Sequence, residues 1–121
     1  MCPGGHVVPA SSEKGSLCVN GMSEYKHNSG ISNSALMIPI TPEDFGSDHP
    51  LAGIEFQRKW EQKAFVLGGS NYHAPAQLVG DFLVGVPSTK IGSIQTTYLP
   101  GIKMTSIEEC LPDFITAALR R

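Results

Sequence analysis

The feature that most constrains the fold is an amphipathic helix pattern that starts near Asp48 and leads into a glycine-rich turn. Apolar residues recur at helical spacing, at Phe56, Trp60, Ala64 and Leu67. This spacing places them on one stripe of a helix. Asp48 and Pro50 suit the first turn of that helix, and Gly68-Gly69 suits its end. The stretch therefore predicts a long helix with one core-facing side.

A second helix is predicted directly after the glycine turn. Pro75 fits the first position of a helix, because its missing N–H has no helical partner there. The apolar residues that follow lie on one side of such a helix, at Leu78, Val79, Phe82 and Leu83. The two helices are therefore expected to share one hydrophobic seam.

The N-terminal third reads as strands and turns. Apolar runs at 6–8 and 17–19 flank the polar stretch 11–15, which predicts a β-hairpin followed by a turn at Asn20-Gly21. Residues 24–33 are polar and predict a loop. Residues 35–40 predict a third strand, and Pro39 favours an edge position for it because proline cannot donate a ladder bond.

The C-terminal part is less regular. Residues 91–99 alternate weakly and predict a strand or an extended surface segment. Thr105 and Glu108 have capping-box spacing, and Pro112 either interrupts that helix or begins another. The helical pattern that follows Pro112 has its apolar face at Phe114, Ile115, Ala118 and Leu119. The expected architecture is a single α+β domain, 1–121, with a small antiparallel sheet of about three or four strands packed against about three helices.

Composition excludes several classes of function. Nine basic and eleven acidic residues give a net charge of −2, and no Lys/Arg run forms the basic face of a nucleic-acid binder. No stretch approaches the roughly 18 apolar residues of a membrane span. The N-terminus lacks a secretion signal. The three cysteines, an odd number, fit reduced thiols. A cytoplasmic protein with no nucleic-acid or membrane partner is expected.

A metal site and a nucleophile are both weakly supported. Cys2, His6, Cys18 and His27 are the ligand types that zinc prefers, but their spacing does not match a zinc motif, so no metal is predicted. Cys18 or Cys110 could pair with a histidine, yet Cys18 lies in an apolar run that favours a packed thiol. No G-x-S-x-G elbow and no phosphate-binding glycine motif occurs.

Two small-residue clusters remain as candidate binding elements. Gly4-Gly5 precedes a strand and permits close backbone approach by a ligand or another domain. Residues 20–23 and 32–34 gather small polar groups at strand ends, where they either face a ligand or serve turn chemistry.

The sequence resembles a region of uncharacterised bacterial FAD-dependent (NAD/FAD-utilising) dehydrogenases, an internal or C-terminal-half region, along essentially its whole length. The resemblance rests on MCPGG, NGMS at 20–23, NSAL at 33–36, HPLAGIEFQRKWEQKAF, APAQLVGDFL and LPDFI. Val19 and Val86 depart from the family pattern, which has Thr and often Arg there. Neither change removes an assigned role, because the family has no established catalytic residues.

The resemblance implies a substrate or cap domain of a larger flavin enzyme. A Rossmann-type FAD domain precedes this region in that family and the chain returns to it afterwards, which agrees with the abrupt start at Met1 and the helical pattern that runs to Arg121. FAD is expected in the parent protein and not in this chain alone, and the small-molecule substrate is unknown. The interdomain or flavin-facing candidates are Cys2, Pro3, Gly4, Gly5, Asn20, Gly21, Met22 and Ser23.

The alternative is a non-catalytic interaction or scaffolding domain. In that case the two predicted helices present a surface to a partner protein. A large exposed apolar patch on the Phe56–Trp60 stripe, remote from the chain termini, would favour this alternative, because monomers seldom leave such patches open.

Overall fold

The computed structural model describes residues 2–93 and 95–121, and it confirms the α+β class. Its strands are β1 (Cys2–Pro3), β2 (Gly5–Pro9), β3 (Val19–Ser23), β4 (Ser32–Asn33), β5 (Ala74–Ala76) and β6 (Ile102–Met104). Its α-helices are α1 (Ala52–Leu67), α2 (Val79–Val84) and α3 (Asp113–Leu119), and short 3-10 helices span Pro42–Phe45 and Ile107–Cys110. No helix in this described part of the chain is long and apolar enough to cross a membrane.

The strands form three two-stranded ladders rather than one antiparallel sheet. β1 pairs with β4 and β2 with β3, both antiparallel, whereas β5 and β6 are parallel. The predicted hairpin is present, but its second strand begins at Val19, so Asn20-Gly21 lies within β3 and not in a turn. Leu17 instead turns inward, where its N–H donates to Glu61 O of α1 at 3.0 Å.

The predicted third strand at 35–40 is wrong. These residues have no regular structure, and Leu36 and Met37 are 78% and 86% exposed. An isolated extended segment gains no ladder hydrogen bonds, and Pro39 cannot donate one. The predicted loop at 24–33 holds, except that Ser32–Asn33 forms β4.

The first helix is confirmed, with a later start than predicted. None of its residues is buried, so the stripe predicted to face the core is only half-buried. Leu51 occupies the N-cap position without a side-chain cap bond, so Asp48 does not cap the helix. At the other end the Gly68 N–H donates to Ala64 O at 2.9 Å, and Gly69 has a φ of +106°. Glycine adopts this left-handed conformation without a Cβ penalty, so the predicted glycine stop is correct.

The second helix begins later than Pro75. Pro75 lies in β5, opposite Lys103 of β6. Proline is tolerated at this position because the hydrogen bonds of the ladder use the Ala74 N–H and the Ala76 carbonyl, so no N–H of residue 75 is needed. Of the apolar positions predicted to face the core in α2, Phe82 is buried, whereas Leu78, Val79 and Leu83 are exposed. Of the residues predicted to form the hydrophobic seam in α2, only the Phe82 ring is therefore buried.

The C-terminal helix begins after Pro112, which is one of the two alternatives. Thr105 makes no capping box; Ser106 precedes the 3-10 helix and also lacks a cap bond. In α3 the buried residue is Thr116, while Phe114 is 39% exposed. Residues 91–93 and 95–99 have no strand, and Ile94 lies outside the described residues.

The loop before Leu17 is held by an ion pair to α1 and by a hydrogen bond to the turn that follows this helix. Arg58 Nε and Nη2 of α1 donate to the two carboxylate oxygens of Glu13, both at 2.8 Å. The Gly15 N–H donates to the Tyr72 hydroxyl at 3.1 Å. Together these contacts connect the hairpin to the helix.

The core is small and the surface large. Leu17, Phe82, Tyr98 and Cys110 are the buried apolar side chains among the described residues. The solvent-accessible surface is 8188 Å². A compact monomer of 12.9 kDa exposes about 6,300 Å², so this chain exposes about 1,900 Å² more. That excess exceeds the ~800 Å² that one partner buries in a standard protein interface.

The packing of α2 gives a test of this small core. Phe82 lies 5.0 Å from the Arg120 guanidinium, and Arg120 Nε donates to Phe82 O at 3.0 Å, so this ring connects α2 to the end of α3. Phe82→Ala is expected to lower the free energy of unfolding by about 3 kcal/mol in urea denaturation. Val79→Ala, at a 73% exposed position of the same helix, should change it by less than about 0.5 kcal/mol. Equal losses in both variants would contradict the assigned core.

The Glu13–Arg58 pair predicts an acid dependence of stability. Arg58 lowers the pKa of the Glu13 carboxyl below its ordinary value. The pair therefore stabilises the fold above the unfolded-state pKa of about 4.3 and loses this contribution as pH falls through the lowered pKa. Glu13→Gln should be less stable than the native chain at pH 7, and the difference should vanish in thermal melts near pH 2. Glu109→Gln, at an exposed residue without an ion pair to the described residues, is the control.

Candidate functional site

The hairpin brings the candidate segments 2–5 and 20–23 together. In the β2–β3 ladder Gly5 lies opposite Ser23 and Val8 opposite Asn20. Ser23 Oγ donates to Pro3 O at 2.5 Å, and Cys2 pairs with Asn33 in the adjoining ladder. The segments thus form one continuous backbone cluster, which we call the glycine hairpin (residues 2–9 and 19–24). Its flavin-facing role stays a prediction.

The Asn33 side chain joins the two strands of the glycine hairpin. Its amide nitrogen donates to Met22 O at 3.1 Å and to His6 O at 3.3 Å. A Cβ placed on Gly5 would lie 2.1 Å from the Asn33 amide nitrogen, and one placed on Gly21 would lie 2.4 Å from the amide oxygen. With the amide in this position, neither glycine has room for a Cβ, so a larger residue at either position would displace the Asn33 side chain.

The close backbone approach predicted at Gly4-Gly5 is made within the chain itself. Gly4 has a φ of +62°, and a Cβ there would lie 2.4 Å from the carbonyl carbon of His27. Gly4 and Gly5 are buried by His27 and Asn33, so neither a ligand nor another domain is needed to explain them. The exposed candidates are Pro3 and all of Asn20–Ser23, while Cys2 is half-buried.

A polar rim borders the hairpin. His6 Nε2 and Glu24 Oε1 lie 2.5 Å apart, and His27 Nδ1 lies 3.1 Å from Ser23 Oγ. Sequence reasoning placed Asn33 in the candidate cluster 32–34, considered His27 only for a metal site, and did not assign Glu24. It did not predict the contacts of these side chains, because the contacts are tertiary.

A groove of about 440 Å³ lies between the glycine hairpin and the β5–β6 ladder. Thr97 accepts a hydrogen bond from the Val7 N–H at 2.8 Å at this junction. The described residues that line this groove are apolar or carry amide and hydroxyl groups, and none has a titratable side chain. Among them are Ile31, Gln77, Leu78, Gln95, Ile102 and Met104. The volume lies within the range of small-molecule sites.

A second groove, of about 510 Å³, follows the apolar stripe of α1 and is called the α1 groove (Phe45, Phe56, Trp60, Ala64, Ile115 and neighbours). The Phe56 and Trp60 rings meet edge to face with centroids 6.2 Å apart. Trp60 Nε1 is buried without an acceptor among the described residues. This groove is the open apolar surface that the interaction alternative requires.

The described residues provide little for covalent or metal chemistry. Burial raises the pKa of the Cys18 and Cys110 thiols, so both stay protonated at neutral pH. No group of three His, Cys, Asp or Glu side chains in residues 2–93 and 95–121 could hold a metal ion. These residues do not fit a dinucleotide site either, because the glycine fingerprint is absent and the parallel ladder has two strands of three residues.

Comparison with known proteins identifies the family. Residues 1–121 match the family described as FAD-dependent protein, C-terminal domain-like, and the chain belongs to this family. The chain is also 50% identical over 120 residues to an uncharacterised protein of Clostridium beijerinckii (strain ATCC 51743 / NCIMB 8052). The match covers 99% of this chain and 22% of that protein, so the chain spans about a fifth of this relative's length.

The Asn33 contact predicts a specific coupling. Gly21→Ala should lower the free energy of unfolding by about 1–3 kcal/mol, because the new methyl overlaps the amide of Asn33. The loss should shrink in an Asn33→Ala background, where the space is free. Denaturant titration of the double-mutant cycle measures this coupling. Gly80→Ala, whose added Cβ meets nothing within 4 Å, should not destabilise and serves as the control. Additive effects of Gly21→Ala and Asn33→Ala would show that the amide does not determine the glycine requirement.

Proposed function

We propose that this chain is the substrate or cap domain of a FAD-dependent oxidoreductase, which covers the flavin site of its parent protein and is not catalytic alone. The observation that carries the proposal is the match of the whole chain to a C-terminal domain family of FAD-dependent proteins. The fraction of the relative that the chain covers, 22%, leaves room for a Rossmann-type FAD domain in the same polypeptide. On this proposal 1–121 is a single domain of that longer protein.

The shape of the domain supports a covering role. The chain exposes about 1,900 Å² more surface than a compact monomer of its mass, and an adjoining domain would bury part of that excess. In flavin enzymes the cofactor supplies the hydride chemistry when bound, while the second domain shapes the pocket and excludes water. The exposed hairpin residues Pro3 and Asn20–Ser23 are the ones we place at this interface.

The groove beside the hairpin suggests the kind of substrate. Because its described lining has amide, hydroxyl and apolar groups but no charged side chain, it suits an uncharged small molecule with hydrogen-bonding groups. A charged substrate would lose hydration there without gaining a partner. A cytoplasmic location remains a prediction.

A non-catalytic interaction domain is the second candidate. The α1 groove supports it, because its apolar lining is open in this chain. The family membership favours the first candidate, and an adjoining domain of the parent could equally cover this groove.

Flavin binding tests the proposal. The longer native protein that includes this chain should purify with the visible absorption of FAD, whereas the 121-residue chain should be colourless and should not take up added FAD in a titration. A longer protein that binds no flavin would remove the oxidoreductase role and leave the interaction domain. Tight FAD binding by the 121-residue chain would show that the cofactor site lies within this chain, contrary to the proposal.

A further inference from the structure

The outer edge of β3 is an open strand edge. At the two ends of the β2–β3 ladder the Ala10 N–H donates to Cys18 O at 2.9 Å, and the Glu24 N–H donates to Gly4 O at 3.0 Å. Hydrogen-bonded and non-hydrogen-bonded residue pairs alternate along an antiparallel ladder, so these two bonds determine which β3 residues bond to β2. The backbone groups of Asn20 and Met22 therefore point at β2. Those of Val19, Gly21 and Ser23 point away from it.

The opposite edge of this hairpin is closed. The Gly5 N–H donates to Ile31 O at 3.2 Å, and the Val7 N–H donates to Thr97 Oγ1 at 2.8 Å. Pro9 has no N–H to satisfy. By contrast, the structure gives the N–H groups of Val19 and Gly21 no acceptor within the described ranges, and the same holds for Ser23. With respect to the part of the chain that the structure describes, the hairpin therefore has one completed edge and one free edge.

Nothing along β3 protects the free edge. All five of its residues are exposed, and the strand Val-Asn-Gly-Met-Ser contains no charge and no proline. Proteins usually blunt an exposed edge with lysine, proline or a bulge, because an open row of N–H and C=O groups pairs with another strand. Val19 and Met22, 44% and 50% exposed, add an apolar side chain on each face of the strand.

We propose that an extended segment of the longer parent polypeptide adds to β3 as a third strand, next to Val19, Gly21 and Ser23. This proposal rests on the proposed function for the existence of the adjoining domain. The relative extends far beyond the aligned region, which covers 22% of it, so the same polypeptide supplies chain for the added strand. Strand addition is favoured over a docked helix because the exposed groups are backbone donors and acceptors at strand spacing.

Residue-resolved hydrogen–deuterium exchange tests the added strand. In the 121-residue chain the amides of Val19, Gly21 and Ser23 should exchange rapidly, and those of Asn20 and Met22 slowly. In the longer native protein the three edge amides should slow by more than about tenfold. Edge amides that remain fast in the longer protein would overturn the proposal. Slow edge amides in the 121-residue chain, together with a concentration-dependent dimer, would overturn it in favour of a second copy.

A pair of variants separates backbone pairing from side-chain contact. Val19→Pro in the longer protein removes one outward N–H without removing a bond to β2, whereas Val19→Ala removes the side chain and keeps the N–H. Only the proline variant should increase the exchange rates of the Gly21 and Ser23 amides, by at least about tenfold relative to the unsubstituted longer protein. Equal effects of both variants would contradict strand pairing. The exchange rates of Asn20 and Met22 report whether the hairpin itself persists.

The flavin spectrum of the same sample separates the two proposals. A longer protein that binds FAD but leaves the edge amides fast retains the cap role and loses the added strand. A protein without flavin whose edge amides are slow retains the added strand and loses the flavin role.

Discussion

The N-terminal half of this domain depends on one side-chain amide. Asn33 donates to a carbonyl on each strand of the hairpin and occupies the space above Gly5 and Gly21. A two-stranded hairpin is marginal by itself in water, so a side chain that bonds both strands has a large share in holding them. The same contact determines the composition of the strands, because any residue larger than glycine at these two positions collides with the amide.

The connection between the hairpin and the helices is polar as much as apolar. Glu13 meets Arg58 through two parallel hydrogen bonds, and the Leu17 N–H bonds to a carbonyl of α1. Among the described residues, Leu17 is the one buried apolar side chain at this junction. The domain therefore assembles from small ladders and one long helix without a large common core, and its remaining apolar surface is left in open grooves.

Sequence patterns predicted the helices better than the strands. The long helix and its glycine stop were predicted correctly for α1, because both depend on local spacing. Its apolar stripe, however, lines an open groove and not a buried core. The strand at 35–40 was wrong and Pro75 was misplaced, since whether an extended segment pairs depends on a distant partner such as Gly101 or Ile102. The family resemblance placed residues 2–5 and 20–23 on one interdomain face, and the β2–β3 ladder does bring them together. The Asn33 contact was not predicted, because it is tertiary.

The large exposed surface has a thermodynamic consequence. Denaturant sensitivity and the heat capacity of unfolding both scale with the surface that unfolding newly exposes. A chain that keeps about 1,900 Å² more surface in water than a compact monomer has correspondingly less to expose. Its unfolding is therefore less steep in urea and its stability curve flatter with temperature than those of a globular domain of equal length.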